Sequence, residues 1–251
     1  MWRSQGISPR KGTTQVQTTL AQFNETQSQD AFALQNSKLL KVRLGASGQI
    51  QAKAGSMVAY QGEVSFEHAG SGGLGRMMKK AVTGEGTTLM KMAGSGEVFL
   101  ADHAQDIHLI YLENDFITVN GPNLLAFDAD IDWDIKRISG GASAAMAGGL
   151  YNLELKGTGW VAILSDGPPV LLNVAQAPTF ADAQAAITWS SGVSTSIKTD
   201  FKMKNLIGKG SGETIQMAFG GEGWVLVQPS EGQVSAAGAS SSGGLGNLLG
   251  N

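Results

Sequence analysis

The sequence predicts an all-β protein made of three tandem copies of one strand-rich unit, and three features favour this fold class. Glycine fills 35 of the 251 positions and charged residues make up 16%, a composition that suits tight turns better than long solvated helices. Apolar and polar residues alternate with a period of two, for example in residues 127–135, as is typical of half-buried strands. The third feature is an internal repeat, the signature of a duplicated fold.

The repeat consists of an alternating strand, a Gly-x-Gly turn and an apolar strand. It reads TLMKMAGSGEVFL at 88–100, NLELKGTGWVAI at 152–163 and TIQMAFGGEGWVLV at 214–227. The second glycines of the three turns are Gly96, Gly159 and Gly223, so the repeat recurs after 63 and then 64 residues.

Each copy also has an upstream apolar segment that ends in an aromatic residue. We therefore expect Tyr60, Phe127 and Trp189 to occupy equivalent buried positions. The other tryptophans at apolar strand positions indicate core packing; they are Trp133, Trp160 and Trp224.

The repeat divides the chain into five parts. These are a flexible N-terminal arm at 1–30, β repeats at 31–114, 115–176 and 177–232, and a flexible Gly/Ser-rich tail at 233–251. A unit of this size buries a modest core alone, so we expect the copies to pack edge to edge into one compact, three-fold pseudo-symmetric β body. Glycine-rich segments lie at equivalent places in the three copies and are expected to be loops; they are 70–86, 140–149 and 208–212.

Composition and charge exclude several classes of function. Without cysteine, the chain has no disulfide framework, no thiolate metal site and no cysteine nucleophile. A net charge of −3 and a pI near 5.6 supply no overall field for a phosphate backbone, which disfavours nucleic acid. No apolar run reaches the roughly 18 residues that span a bilayer. We therefore expect a cytoplasmic protein, either soluble or peripheral to a membrane.

The first 22 residues contain Arg3, Arg10 and Lys11 and no acidic residue. This composition overlaps with that of organellar transit peptides. The alternative is an unpacked polar arm, because Gly6, Pro9 and Gly12 interrupt any helix.

Several of these motifs together resemble a known family. They are GSMV at 55–58, GGLGRMMKKAVTGEG at 72–86, LLAFDADIDWDIKR at 124–137 and the Gly-x-Gly-x-Val strands. Over about residues 34–229 the sequence resembles the altered inheritance of mitochondria protein 24 family. The resemblance implies a three-fold duplicated β fold similar to the tryptophan RNA-binding attenuation protein, with three chains closing a ring of nine units. It implies no catalytic residues and a mitochondrial location only in eukaryotes, where members are tied to the inner membrane.

A run of alternating aspartates is the one candidate metal site. Every second position of a predicted strand is acidic, namely Asp128, Asp130, Asp132 and Asp134. Carboxylates at about 7 Å spacing on one strand face offer oxygens to a hard cation. The alternative is a solvated or inter-unit face, because Lys136 and Arg137 follow directly. We favour that alternative and predict no metal.

No catalytic motif stands out, and we predict a protein that is not an enzyme and needs no cofactor. His103 and His108 are five residues apart, which places them on opposite faces of a strand. The G-x-G-x-x-G pattern at 70–75 lacks the βαβ unit that dinucleotide binding requires.

The first glycine-rich segment is a candidate contact with a membrane or partner. It mixes apolar and basic side chains, namely Leu74, Arg76, Met77, Met78, Lys79 and Lys80. Apolar burial combined with attraction to anionic head groups is the basis of peripheral binding. The alternative is that its leucine and methionines cover the protein's own core.

The leading hypothesis is a structural or interaction protein, a scaffold whose homotrimeric β ring presents glycine-rich loops to a protein partner or a membrane surface. The second is a small-ligand-binding module with a pocket between repeats or subunits. RNA binding ranks third because the composition shows no basic stripe.

Overall fold

A computed structural model describes residues 19–68, 89–137, 151–198 and 216–230. Within these ranges the chain is almost entirely β, with one α-helix at Leu44–Ser47 and 3-10 helices at Thr19–Phe23 and Gly121–Asn123. The all-β prediction is confirmed. The three glycine-rich segments and the tail at 233–251 lie outside the described residues.

The strands follow the repeat. The first third of the chain contains β1 (Phe32–Asn36), β2 (Leu39–Arg43), β3 (Gln49–Lys53), β4 (Met57–Gln61), β5 (Val64–His68), β6 (Leu89–Gly94) and β7 (Glu97–Leu100). The middle third contains β8 (Asp106–Asn120), β9 (Leu124–Asp128), β10 (Asp132–Arg137) and β11 (Tyr151–Ser165). The last third contains β12 (Val170–Asn173), β13 (Thr179–Asp182), β14 (Ala186–Ser190), β15 (Val193–Lys198), β16 (Gln216–Gly221) and β17 (Trp224–Val227).

The same antiparallel pairing occurs in each third. The strand after the Gly-x-Gly turn lies between two partners: β7 between β2 and β4, the second half of β11 between β8 and β9, and β17 between β12 and β14. The strand before the turn also has two partners: β6 pairs with β3 and β5, the first half of β11 with β8 and β10, and β16 with β13 and β15. β8 and β11 are 15 residues long because each joins two strands that are separate in the other thirds.

Two pairings connect the thirds to one another. β3 pairs with β9, and β8 pairs with β14. Both pairings belong to the ten-stranded sheet; the other two sheets have four strands in the order β1-β2-β7-β4 and three strands in the order β13-β16-β15. The units therefore join edge to edge, as the sequence predicts.

The second glycine of the turn is required by close packing. A Cβ atom added to Gly223 would lie 2.1 Å from the Ser190 Oγ atom, and one added to Gly159 would lie 2.8 Å from an Asp128 carboxylate oxygen. Both glycines also have a positive φ, 146° and 149° respectively. Any side chain at these positions would meet its neighbour and strain the backbone.

The core consists of three apolar clusters, which together draw on every third of the chain. The first two are centred on residues such as Leu100 and Phe127, and the third on Phe219. Trp189 is buried, while Trp133, Trp160 and Trp224 are partly buried and pack against these clusters, as expected from their strand positions.

The last residues of the predicted N-terminal arm at 1–30 lie against β2. Lys41 forms an ion pair with Glu25 and contacts the Thr26 carbonyl at 3.4 Å. Arg43 donates to the Gln29 carbonyl at 2.6 Å. Residues 25–29 therefore contact the sheet ahead of β1.

Candidate functional site

The most unusual surface in the described part of the chain is the outer edge of β4. Tyr60 is 50% exposed and Val58 is 59% exposed, whereas Phe127 in β9 is 0% exposed and Trp189 in β14 is 4% exposed. The expectation of equivalent burial is correct for Phe127 and Trp189 and wrong for Tyr60. β9 pairs with β3 as well as with β11, and β14 pairs with β8 as well as with β17, but among the described strands β4 pairs with β7 alone.

Tyr60 is nevertheless held in a defined position. Its ring packs edge-on against Phe66 of β5, with the ring centroids 5.4 Å apart. β4 contains no charged residue and no proline. Natural sheets commonly protect an open edge with charge or proline, so β4 has the character of a strand that receives a partner.

In the middle and last thirds, the residue after the aromatic position forms a polar contact that sequence analysis missed. Asp128 accepts a hydrogen bond from the Trp160 backbone N–H at 2.7 Å and one from the Ser47 hydroxyl. In the last third, the Ser190 hydroxyl accepts from the Trp224 backbone N–H at 3.0 Å. A polar residue directly after the aromatic one was the available signal in the sequence.

The aspartate run does not form the predicted ladder. β9 ends at Asp128 and β10 begins at Asp132, with a turn between them that is closed by a hydrogen bond from the Ile131 N–H to the Asp128 carbonyl. The expectation of one strand face is therefore wrong, because Asp128 turns inward while Asp130 and Asp132 are exposed. Asp134 is half-buried in β10. In the described residues, no group of three or more His, Asp or Glu side chains is placed to hold a metal ion.

A buried lysine lies in β2, which β7 separates from β4 in the same sheet. Lys41, only 4% exposed, lies 3.1 Å from the Glu97 carboxylate and also contacts Glu25. Burial alone would lower the pKa of Lys41, but these two carboxylates outweigh burial and raise the pKa above its ordinary value. The hydrogen bond to Lys41 lowers the pKa of Glu25. Both shifts favour the charged forms of Lys41 and Glu25 within this cluster.

An open cleft of about 300 Å³ lies beside this cluster, at the end of β4. Its polar walls are Arg43, Gln61 and Glu97, and its floor consists of glycine backbone and Ser95. Arg43 and Glu97 lie 3.6 Å apart. The cleft can therefore offer both charges to a small polar molecule.

The two candidate histidines do not converge. His103 is exposed and its Nδ1 atom lies 2.6 Å from Asp102, whereas the His108 Nε2 atom lies 2.8 Å from the buried Ser165 hydroxyl. Burial lowers the pKa of His108. Burial alone would raise the pKa of Asp102, but Lys53, which donates a hydrogen bond to it at 2.6 Å, and His103 together lower that pKa.

The candidate membrane or partner contact lies outside the described residues. This applies to Leu74, Arg76, Met77, Met78, Lys79 and Lys80. No helix in the described ranges is long and apolar enough to cross a bilayer.

Comparisons with known proteins agree with this architecture. No curated protein matches the chain in sequence. The fold is similar to the crystal structure of protein SPYM3_0169 from Streptococcus pyogenes, with a TM-score of 0.65 and 21% sequence identity over 79% of this chain and 92% of that one. Residues 32–230 match the family described as mitochondrial biogenesis AIM24. That match covers most of the sequence and confirms the resemblance seen in its motifs, so the chain belongs to the mitochondrial biogenesis AIM24 family.

Proposed function

We propose that this protein is a non-enzymatic structural or interaction protein whose three units are related by three-fold pseudo-symmetry and whose chains close into a homotrimeric β ring. The observation that carries the proposal is the contrast between buried β9 and β14 and exposed β4. The edges of β9 and β14 are paired with β3 and β8 of the same chain, and in a head-to-tail ring a strand of the next chain pairs with the third edge, that of β4. The ring fold similar to the tryptophan RNA-binding attenuation protein is part of this proposal.

The ring presents glycine-rich segments from equivalent places. Each segment connects a pair of neighbouring antiparallel strands: 69–88 joins β5 to β6, 138–150 joins β10 to β11, and 199–215 joins β15 to β16. All three therefore start from the same end of their hairpins. A closed ring multiplies each contact that such a segment makes, which converts weak single contacts into useful binding.

The mass of the assembly tests the ring directly. Size-exclusion chromatography with light scattering should give three times the 26.1 kDa of one chain, with no dissociation at micromolar concentration. A monomer at that concentration contradicts the proposal.

The ring would present its loops to a protein or to an anionic membrane surface. Intact protein should sediment with anionic liposomes at low salt, and Met77→Ser/Met78→Ser should release it without lowering its melting temperature. Neutral liposomes serve as the control, because the attraction of Arg76, Lys79 and Lys80 requires anionic lipid. Failure to sediment leaves a protein partner as the proposed target. The location that fits this role is cytoplasmic and membrane-peripheral, or mitochondrial in a eukaryotic source.

A second candidate function is small-ligand binding, favoured by the cleft lined by Arg43, Gln61 and Glu97. A rise in melting temperature with a zwitterionic or polar metabolite, lost in Arg43→Gln, would support it. RNA binding stays the least favoured, and a tight salt-sensitive complex with RNA would reverse that order.

A further inference from the structure

The two junctions between units share one register. Where β3 meets β9, Ala52 lies opposite Ala126 and Gln51 opposite Phe127. Where β8 meets β14, the corresponding partners are Val119 with Thr188 and Thr118 with Trp189. We call β9 and β14 the receiving strands and β3 and β8 the incoming strands. In both junctions the aromatic residue of the receiving strand lies opposite a polar residue of the incoming strand.

The receiving strand is placed identically in all three thirds. Tyr60, Phe127 and Trp189 each lie opposite a valine two residues after the second glycine of the turn. The pairing of each strand also shifts by one residue at the same point, between Met57 and Ala59 in β4 and between Ala186 and Thr188 in β14. β4 therefore has the backbone geometry of a receiving strand.

The incoming strand is also present in each third. β3 places Ile50 opposite Met92, β8 places Ile117 opposite Leu155, and β13 places Thr179 opposite Phe219. Each of these opposing residues lies two positions before a glycine of positive φ; those glycines are Gly94, Gly157 and Gly221. In the described residues, β3 and β8 meet a receiving strand of the next unit, whereas β13 pairs with β16 alone.

We infer that β13 of one copy pairs antiparallel with β4 of the next copy, with Ala181 opposite Ala59, Phe180 opposite Tyr60 and Thr179 opposite Gln61. The inference rests on the proposed homotrimer and specifies which edges meet and in which register. It is fixed by applying the register of the two internal junctions to the third.

The side chains suit this pairing. Phe180 and Tyr60 become a cross-strand aromatic pair, one of the more stabilising combinations in antiparallel sheets. Ala59 opposite Ala181 repeats the Ala52 and Ala126 pair, both members of which are fully buried. The covered β4 then acquires the burial that β9 and β14 already have.

The absence of cysteine in the chain makes cross-linking a clean test. Ala59→Cys/Ala181→Cys should form disulfides between copies under mild oxidation, and a non-reducing gel should show dimer and trimer bands that disappear on reduction. Ala52→Cys/Ala126→Cys is the matched control, because the same geometry inside one chain should close a disulfide without changing the mass. Opposed residues in antiparallel strands lie within the Cα separation that disulfides accept.

Further variants test the register and the edge separately. Ala59→Cys/Asp182→Cys is one residue out of register and should not cross-link, because the two side chains then point to opposite faces. Either single cysteine variant should stay uncross-linked; a disulfide in Ala59→Cys alone would mean that like edges meet and would overturn the inference. Tyr60→Asp should dissociate the assembly to folded monomer, because it places a charge in the aromatic pair.

The outcomes separate the inference from the proposed function. A trimer that cross-links only through the internal control pair, or that survives Tyr60→Asp, refutes the β13–β4 register and leaves the ring intact. A wild-type protein that scatters as a monomer refutes both. If neither cysteine pair oxidises, Tyr60→Asp tests the β13–β4 pairing: dissociation of the trimer supports the pairing, and a trimer that persists refutes it.

Discussion

β9 and β4 have the same place beside their Gly-x-Gly hairpins but opposite exposures. β9 is buried along residues 124–127, whereas most of β4 is exposed to solvent. Their pairing with the strand after the turn is the same, including the one-residue shift. The difference comes from the neighbour on the other side: β3 covers β9, and among the described residues no strand covers β4.

This comparison shows that burial in a repeat protein depends on the neighbouring unit as much as on the strand itself. Repeat units contact mainly their neighbours, so the terminal units differ from the central one. The terminal unit here carries Tyr60 at the aromatic position, a residue that is compatible with both solvent and an interface.

The largest expected effect on stability comes from replacing Phe127, the buried counterpart of Tyr60. Phe127→Ala should lower the free energy of unfolding by about 3–5 kcal/mol, because it removes a large ring from the second core cluster. Tyr60→Ala should cost the isolated protomer only about 1 kcal/mol, since it loses mainly the contact with Phe66. Urea denaturation followed by circular dichroism measures both values.

Protein concentration sharpens this prediction. The melting temperature of Tyr60→Ala should fall on dilution more steeply than that of the wild type, because its defect lies in association. The defect of Phe127→Ala should persist at every concentration. Equal losses in the two variants would mean that β4 is covered within the chain.

A smaller effect is expected at the Gly-x-Gly turn of the last third, which lies between β16 and β17. Gly223→Ala should destabilise the protein by about 1–3 kcal/mol, because Gly223 has a φ of 146° and an added Cβ would lie 2.1 Å from Ser190. Gly220→Ala is the matched control three residues away, where the nearest atom lies 3.7 Å from the added Cβ. Thermal denaturation should separate the two variants, and a Gly223→Ala protein as stable as Gly220→Ala would contradict the requirement for glycine.

Much of the fold was accessible from the sequence because the repeat is carried by local features. The Gly-x-Gly turns at Gly96, Gly159 and Gly223 mark the hairpins that the structure contains, and the alternation predicted the strands on either side. The edge-to-edge joining followed from the small size of each unit. These signals are short-range and survive in a single sequence.

The features that the sequence did not predict correctly depend on long-range contacts. Tyr60 was expected to be buried because it matches Phe127, but the covering strand is not encoded in the pattern of β4 itself. The aspartate ladder failed because the turn after Asp128 is stabilised by partners distant in sequence, among them the Gln49 carbonyl, which accepts from the Ala129 N–H at 2.9 Å. The packing of residues 24–30 against β2 depends on a buried lysine that no local pattern marks.

The smallest expected effect concerns the charge cluster of Lys41, Glu25 and Glu97, and it is a dependence on pH. Glu25 has a pKa below its ordinary value of 4.5 in the folded protein because Lys41 donates a hydrogen bond to it. A carboxylate whose pKa is depressed by folding stabilises the native state above its ordinary pKa, and this contribution is lost as the pH falls through the folded-state value. The melting temperature of the wild type should therefore drop as the pH falls from about 5 to about 3, by a few degrees at most, because the Glu25 side chain is 30% exposed and solvent screening limits such a pair to about 1 kcal/mol. Glu25→Gln should melt lower than the wild type at pH 7 and lose less on acidification, whereas Glu113→Gln, which removes an exposed carboxylate of β8 that forms no salt bridge with the described residues, should follow the wild type at both pH values. If Glu25→Gln and Glu113→Gln have the same pH profile, the ion pair with Lys41 does not hold residues 24–30 against β2, and their packing must come from backbone contacts such as that of the Gln29 carbonyl with Arg43.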